Sequence, residues 1–361
     1  MAETAFGTND NLTVKTWERK LFQEALKATW FNKFIGTGSD SLCQKLTNLE
    51  KGPGDRIRVG LRMQLTGAGI QGTGTQEGNE ESLTTYSDDL VVNYLKHAVR
   101  MDNSISKQRV AFDIRMEMMA GLRDWWADRF DTSFFNQLCG NTGQTDTRYT
   151  GNQAAVAPSS TRLICSSVDG SDTTEASLSA TTTFSFSFKD IDRAVAMAKT
   201  AATPIRPIMV NGNAHHVCFI HPYSVYQLRR DTSTNNFMDI ARQALAGNVA
   251  AGKAAIYDGA LGVYNNVILH EAVRIPIITG SPASGTAANF RRNVFCGAQA
   301  LALGFGQTSG IDDDNAGWVE KKFDYDDSLG VKAGKIFGIK KTVFNSVDFA
   351  TIAISSYAPT V

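Results

Sequence analysis

The 361-residue chain is 42% hydrophobic, enough for a globular core and, by length, for two or three domains or one large domain with extensions. Its 36 Lys and Arg residues balance 36 Asp and Glu, so the chain as a whole lacks the basic footprint of a dedicated nucleic-acid binder. No apolar run approaches the ~18 residues of a membrane span, the N-terminus lacks a basic-then-apolar signal layout, and Cys43, Cys139, Cys165, Cys218 and Cys296 form no CxxC pair, which fits buried thiols in a reducing compartment.

Residues 1–14 are polar and read as an arm. Residues 15–34 place Trp17, Leu21, Ala25, Ala28 and Phe31 at three- or four-residue steps, a helical pattern. A loop then ends in the breaker Gly52-Pro53-Gly54. Residues 55–66 alternate, with Ile57, Val59, Leu61, Met63 and Leu65 on one face and Arg56, Arg58, Arg62 and Gln64 on the other. That is the period of a half-buried strand. A second run at 90–95 can return beside it, and the intervening residues 67–81 are glycine-rich with almost nothing to pack. Such a hairpin is marginal alone, so it reads as an arm that lies on another copy of the chain.

A helix is expected over 106–138, where Val110, Ile114, Met118, Leu122, Trp126, Phe130, Phe134 and Leu138 recur at every fourth position. Each such step drifts the stripe by ~40°, and the run would span about 45–50 Å, so this helix must cross several elements in turn. Residues 140–180 read as a surface insertion with a short strand at 162–168. Next come a helix over 188–202, a strand at 216–222, helices at 224–230 and 238–246, and a turn and strand within 256–278. Residues 294–304 read as an apolar start running into a small-residue helix. Residues 318–349 read as β-structure, with a last strand at 349–354. The whole is α+β with mostly antiparallel strands and no fixed repeat.

The chemical motifs are incomplete. Gly67, Gly69 and Gly72 spell GxGxxG after a strand, but a dinucleotide site needs a helix to follow at once, and the continuation GTGTQEGNEE does not tolerate one. Residues 247–254 approach a P-loop, with Ala254 where the magnesium-binding hydroxyl belongs. His215, His216 and His221 gather near Cys218 without a carboxylate or second cysteine at ligand spacing. Asp312, Asp313 and Asp314, and Asp324, Asp326 and Asp327, lack the layout of a calcium loop. No GxSxG or Ser/His/Asp set is found, so no catalytic residue, metal or cofactor is assigned.

The order of parts resembles that of a tailed-bacteriophage major capsid protein. The residues that carry the resemblance are the arm and helix at 15–34, the hairpin at 55–95, the helix at 106–138, and then CFIHPYSVYQLRRD, DGALGVYNNVILHEA, VFCGAQALALGFG and DFATIAIS. The resemblance implies an N-terminal arm (1–54), an extended hairpin or E-loop (55–95), a peripheral domain with a spine helix (96–184), an axial domain (185–310) and a C-terminal β-segment returning to the peripheral domain (311–361). It implies assembly as homo-hexamers and homo-pentamers into an icosahedral shell around packaged double-stranded DNA, without a membrane. A portal is implied, and a separate scaffolding protein, because the stretch before the hairpin is short for a fused scaffold. Some relatives cross-link through a hairpin lysine; residues 55–95 contain none, so no such link is expected. Arg56, Arg58 and Arg62 on one strand, and Glu77, Glu80, Glu81, Asp88 and Asp89 in the tip and return, are the candidate contacts between subunits. The alternatives are another viral or cell-surface structural protein, or a nucleotide-binding enzyme using Gly67 and Gly72 or Gly247 and Lys253.

Overall fold

Two β-sheets, a long helix between them and a projecting hairpin make up the architecture. A computed structural model describes residues 30–46, 54–102, 104–167, 173–210, 212–230, 260–306, 317–325 and 327–360. The expected arm, the helix at 238–246, the P-loop-like stretch 247–254, Asp326 and the run Asp312 to Asp314 lie outside these residues. Of the helix expected at 15–34, only Trp30–Phe34 is described, as a 3-10 turn.

In chain order the elements are β1 (Ile35–Gly36), β2 (Cys43–Leu46), β3 (Arg56–Arg62), β4 (Thr85–Val91), β5 (Asn93–Arg100), α1 (Ser104–Arg109), α2 (Ile114–Leu138), β6 (Leu163–Cys165) and α3 (Phe188–Thr200). There follow β7 (Ile208–Val210), β8 (Asn213–Ile220), α4 (Pro222–Arg230), β9 (Ala260–Tyr264), β10 (Val267–Glu271), β11 (Phe290–Cys296) and β12 (Leu301–Phe305). The last are β13 (Gly317–Phe323), β14 (Ser328–Lys341), β15 (Val343–Phe344), β16 (Val347–Asp348) and β17 (Thr351–Tyr357).

The first sheet has the order β1-β2-β12-β14-β13, with β5 on the other edge of β14. Alternation along β14 decides its two faces. Val331, Ala333, Phe337 and Ile339 join the main core under α2, while Lys332, Ile336 and Lys340 point away from it. The second sheet has the order β6-β17-β11-β8-β10-β9, with β7 beside β8. One apolar cluster runs through both sheets and α2. Sheet membership cuts across the boundaries implied by the resemblance. β12 lies in the first sheet with β14, and β6 and β17 lie in the second, with β17 beside β11 and β6 outside it.

The helix expected over 106–138 is broken. Residues 110–113 separate α1 from α2, because Asp113 is extended and its carboxylate accepts the Arg115 N–H at 3.0 Å, starting a new helix with its own N-cap. The 25 residues of α2 span about 37 Å. Its drifting stripe meets different partners in turn. Trp126 and Phe130 pack on Phe337 of β14 (ring centroids 6.0 and 4.8 Å), and one turn on Phe134 stacks on Phe31 (4.6 Å). Phe135 then meets Trp30 and Phe219 of β8 (6.0 and 5.6 Å).

No helix forms over 294–304. The segment is β11, a turn and β12. The small residues serve close approach instead: a Cβ at Gly297 would collide with the Arg206 carbonyl oxygen. The return strand of the hairpin is also earlier than expected, at Thr85–Val91, and Leu95 belongs to β5. The strand at 216–222 and the helices at 188–202 and 224–230 appear as β8, α3 and α4.

Several buried charges are paired. Arg292 (2% exposed) bonds Glu175 through Nε and Nη2 at 2.8 and 2.5 Å, and Nη1 reaches the Gly140 carbonyl at 2.9 Å. Lys341 (1%) pairs with Asp348 at 2.8 Å. Asp131, fully buried in α2, accepts the Trp30 and Phe31 N–H groups at 2.9 and 3.0 Å and pairs with Arg274 at 3.2 Å. It thereby ties the entering chain to the long helix, because an unpaired buried charge is costly.

Candidate assembly surface

β3 and β4 pair in register from Arg56 with Val91 to Arg62 with Thr85. The alternation read from the sequence holds: Ile57 is buried and Val59, Leu61 and Met63 are half-buried, while Arg56, Arg58 and Arg62 are exposed. Ile57, Leu90 and Val92 form a small cluster with Ala302, Leu46 and Ile336, on the side of the first sheet opposite α2. Two glycines make this seat. A Cβ at Gly338 would collide with the Val91 carbonyl oxygen, and one at Gly304 would crowd Leu90 and Ile57. The hairpin base therefore lies directly on the sheet backbone.

Beyond Arg62 the support ends. Residues 64–85 are exposed throughout, including Leu65 (55%), Ile70 (38%) and Leu83 (56%). The last backbone rung is the Met63 N–H to the Thr84 carbonyl at 3.0 Å. No helix begins directly after Gly72, since residues 73–84 form turns and irregular chain, so the GxGxxG pattern sits in a turn-rich tip without the helix N-terminus that a pyrophosphate site requires.

The candidate contact charges fall into two groups. Arg58 grips Asp89 across the hairpin in bidentate fashion (2.7 and 2.9 Å). That hydrogen bond first, helped by the charges of Arg58, Arg56 and Lys340, holds the Asp89 carboxyl below its usual range. Glu81 accepts the Thr66 and Gly67 N–H groups at 2.8 and 2.7 Å, which lowers its pKa. Glu80 accepts the Gly78 N–H at 2.9 Å. Asp88 pairs with Lys340 of β14 and accepts the Val343 N–H at 3.2 Å. Arg56, Arg62 and Glu77 make no hydrogen bond or ion pair among the described residues. Sequence reading missed Lys340, Gly304 and Gly338, which lie more than two hundred residues from the hairpin and carry no local signal.

Elsewhere the polar groups serve the fold. His216 stacks on Phe295 (4.9 Å), and His221 Nδ1 accepts the Tyr223 N–H at 3.1 Å. All five cysteines are buried free thiols, and burial pushes those of Cys43, Cys139, Cys218 and Cys296 above their ordinary pKa, away from the thiolate form that reacts. Among the described residues no cluster of His, Cys, Asp and Glu has the makings of a metal site, and no helix is long and apolar enough to cross a membrane.

Comparison with known proteins accounts for this arrangement. The sequence matches the family described as phage capsid protein over residues 5–360. It is 27% identical over 367 residues to the major capsid protein of Pseudomonas phage KPP25, covering 94% of this chain and 91% of that protein. The fold is similar to the capsid of Ralstonia phage GP4, with a TM-score of 0.81 and 28% identity over 99% of each chain. It is similar also to the Cyanophage Pam1 capsid asymmetric unit, with a TM-score of 0.80 and 21% identity over 100% of each chain. With a match that runs nearly end to end and a hairpin that its own subunit leaves bare, the chain belongs to the phage capsid protein family.

Proposed function

We propose that this chain is the major, shell-building subunit of a tailed-phage head, assembling as hexamers and pentamers into an icosahedral shell around double-stranded DNA. The role is structural rather than catalytic. The observation that carries the reading is the hairpin: its base is fixed on the sheet, residues 64–85 stay exposed with apolar side chains, and the outer edges of the two-stranded β3–β4 ladder pair with no further strand among the described residues. Such edges are satisfied by pairing with another chain, and identical subunits offer the same neighbour at every position of a closed ring. Arg56, Arg62 and Glu77 are then free to meet a neighbour, and Arg58, Asp88 and Asp89 shape the hairpin that presents them.

A division of labour by sheet goes with this. The first sheet, α2 and the hairpin form the peripheral part, and the second sheet with α3 and α4 the axial part. A separate scaffolding protein and a portal would set curvature and the entry vertex, and assembly would take place in the host cytoplasm before the subunit becomes part of the virion. Negative-stain microscopy of particles from cells producing the full-length chain with the other head proteins should show closed shells built from this chain. Fibres, or discrete particles no larger than a few subunits, would sink the reading.

A further inference from the structure

A crevice of about 400 Å³ opens between the hairpin and the body of the subunit. Leu61, Met63 and Tyr86 of the hairpin form one wall. The rest comes from the C-terminal end of α3, the turn Ser160–Arg162 that leads into β6, and the β15–β16 hairpin. The volume is within the range of small-molecule sites, about 300–1,000 Å³. The lining is mostly apolar, with Phe344 and Phe349 adding to the hairpin side chains, and its charged members are Arg162 and Asp348. The charges beneath it do not balance. Arg162 (2% exposed), Lys341 (1%) and Asp348 (2%) are all buried. Lys341 and Asp348 pair at 2.8 Å, and Asp348 also accepts the Ser159 N–H at 3.1 Å. Arg162 has a neutral partner: its Nη2 donates to the Thr203 carbonyl at 2.7 Å, while its Nη1 has no hydrogen-bond partner among the described residues. Asp348 is the charged group that acts on Arg162, and that carboxylate is already engaged by Lys341. Two buried cations thus share one anion. An uncompensated buried charge is costly, and a buried donor without an acceptor adds to the cost. An anion supplied from outside removes both.

We propose that the crevice binds an amphipathic monoanion, an unbranched aliphatic carboxylate of medium length. Its carboxylate sits on Arg162 and its tail lies against Leu61, Met63, Phe344 and Phe349. Charge and lining select this class together. A bare anion would leave the apolar walls wet, and a neutral hydrocarbon would leave the guanidinium unanswered. Because one wall belongs to the hairpin and the rest to the body, the bound tail joins the two and steadies the direction in which the hairpin leaves the sheet.

Equilibrium dialysis of radiolabelled decanoate against the full-length chain tests it, with decanol as the uncharged probe and acetate as the tailless one. Separate subunits should take up decanoate with a Kd of about 10–100 µM, and decanol and acetate at least about tenfold more weakly. Arg162→Gln should weaken decanoate binding about tenfold or more and leave decanol binding unchanged. Ala202 is exposed and lines the crevice, so Ala202→Trp should fill the space and weaken both. That variant keeps Arg162 and carries the test by itself if near-UV circular dichroism shows Arg162→Gln to be unfolded. Absence of decanoate binding overturns the proposal, as does equal binding by the parent and Ala202→Trp. Decanol that binds as tightly as decanoate would make the crevice a plain apolar hole, and acetate that does so would make it a bare anion site; either result overturns the assignment. Decanoate held by separate subunits but excluded from assembled shells would give the crevice to a segment of another copy, and overturns it as well.

Discussion

His221 stands where β8 hands over to α4. Its Nδ1 accepts the Tyr223 N–H at 3.1 Å, so the ring caps one orphan donor of the first turn, and its carbonyl accepts the Val225 N–H at 3.0 Å. Burial first, then the charge of Arg291, hold its pKa at about 4, below the ordinary 6.5. The folded chain thus keeps the ring neutral while the unfolded chain takes up a proton from about pH 6.5 downward. His221 therefore contributes stability above that pH, and the contribution is lost as pH falls toward 4. After allowance for solvent screening its size is about 1–2 kcal/mol. Asp131 and Asp190, whose pKa values burial raises, act with the opposite sign, since they favour the folded state when protonated and lose that contribution as pH rises through the raised values. The readout is accordingly a difference between variants. In thermal melts from about pH 7 to about pH 4, His221→Asn, which keeps a capping acceptor but does not titrate, should lose stability less steeply than the parent. Equal slopes would show that the ring is not the titrating cap.

The seat of the hairpin is decided between elements. Gly338 admits the Val91 backbone onto β14, and Gly304 admits Ile57 and Leu90 onto β12. Gly338→Ala should force the base outward and lower stability by about 1–3 kcal/mol in urea unfolding. Gly60→Ala, whose Cβ would meet only the Tyr86 carbonyl oxygen at 4.0 Å, should stay within about 0.5 kcal/mol of the parent. A Gly338→Ala variant as stable as Gly60→Ala would show that the seat tolerates a gap. This scale also explains what was legible in the sequence. The alternation from Ile57 to Met63 and the four-residue stripe of α2 are local periods that survive in the structure, whereas Leu65, expected on the same face, is exposed because the strand ends at Arg62. The small residues of 294–304 looked helical because composition cannot distinguish a helix from a chain pressed against its neighbour, here Gly297 against Arg206. The break before Ile114 was written in Asp113, but the apolar spacing ran straight across it.

Across the whole molecule a net charge of zero conceals a separation of charge. The acids of residues 63–90 sit on a projection, and Lys96, Arg100, Lys321 and Lys332 meet only when β5 and β13 flank β14. Composition could exclude a uniformly basic chain; it could not reveal two opposed patches built from segments more than two hundred residues apart. The partition of order is equally non-local. α2 is held by one core that reaches both sheets, whereas the tip beyond the Met63 to Thr84 rung has little backbone pairing besides the Asn79 N–H to the Gln76 carbonyl at 3.0 Å. Amide exchange reads this directly, because protection requires hydrogen-bonded, buried backbone. In separated subunits, peptides from 64–84 should exchange at close to free-chain rates while those from α2 remain protected. In assembled shells the tip peptides should slow by at least about tenfold, as their edges and apolar residues find a neighbour, with α2 serving as the internal reference. Tip peptides that are already slow in the lone subunit, or equally fast in the shell, would mean that the projection gains nothing from identical copies.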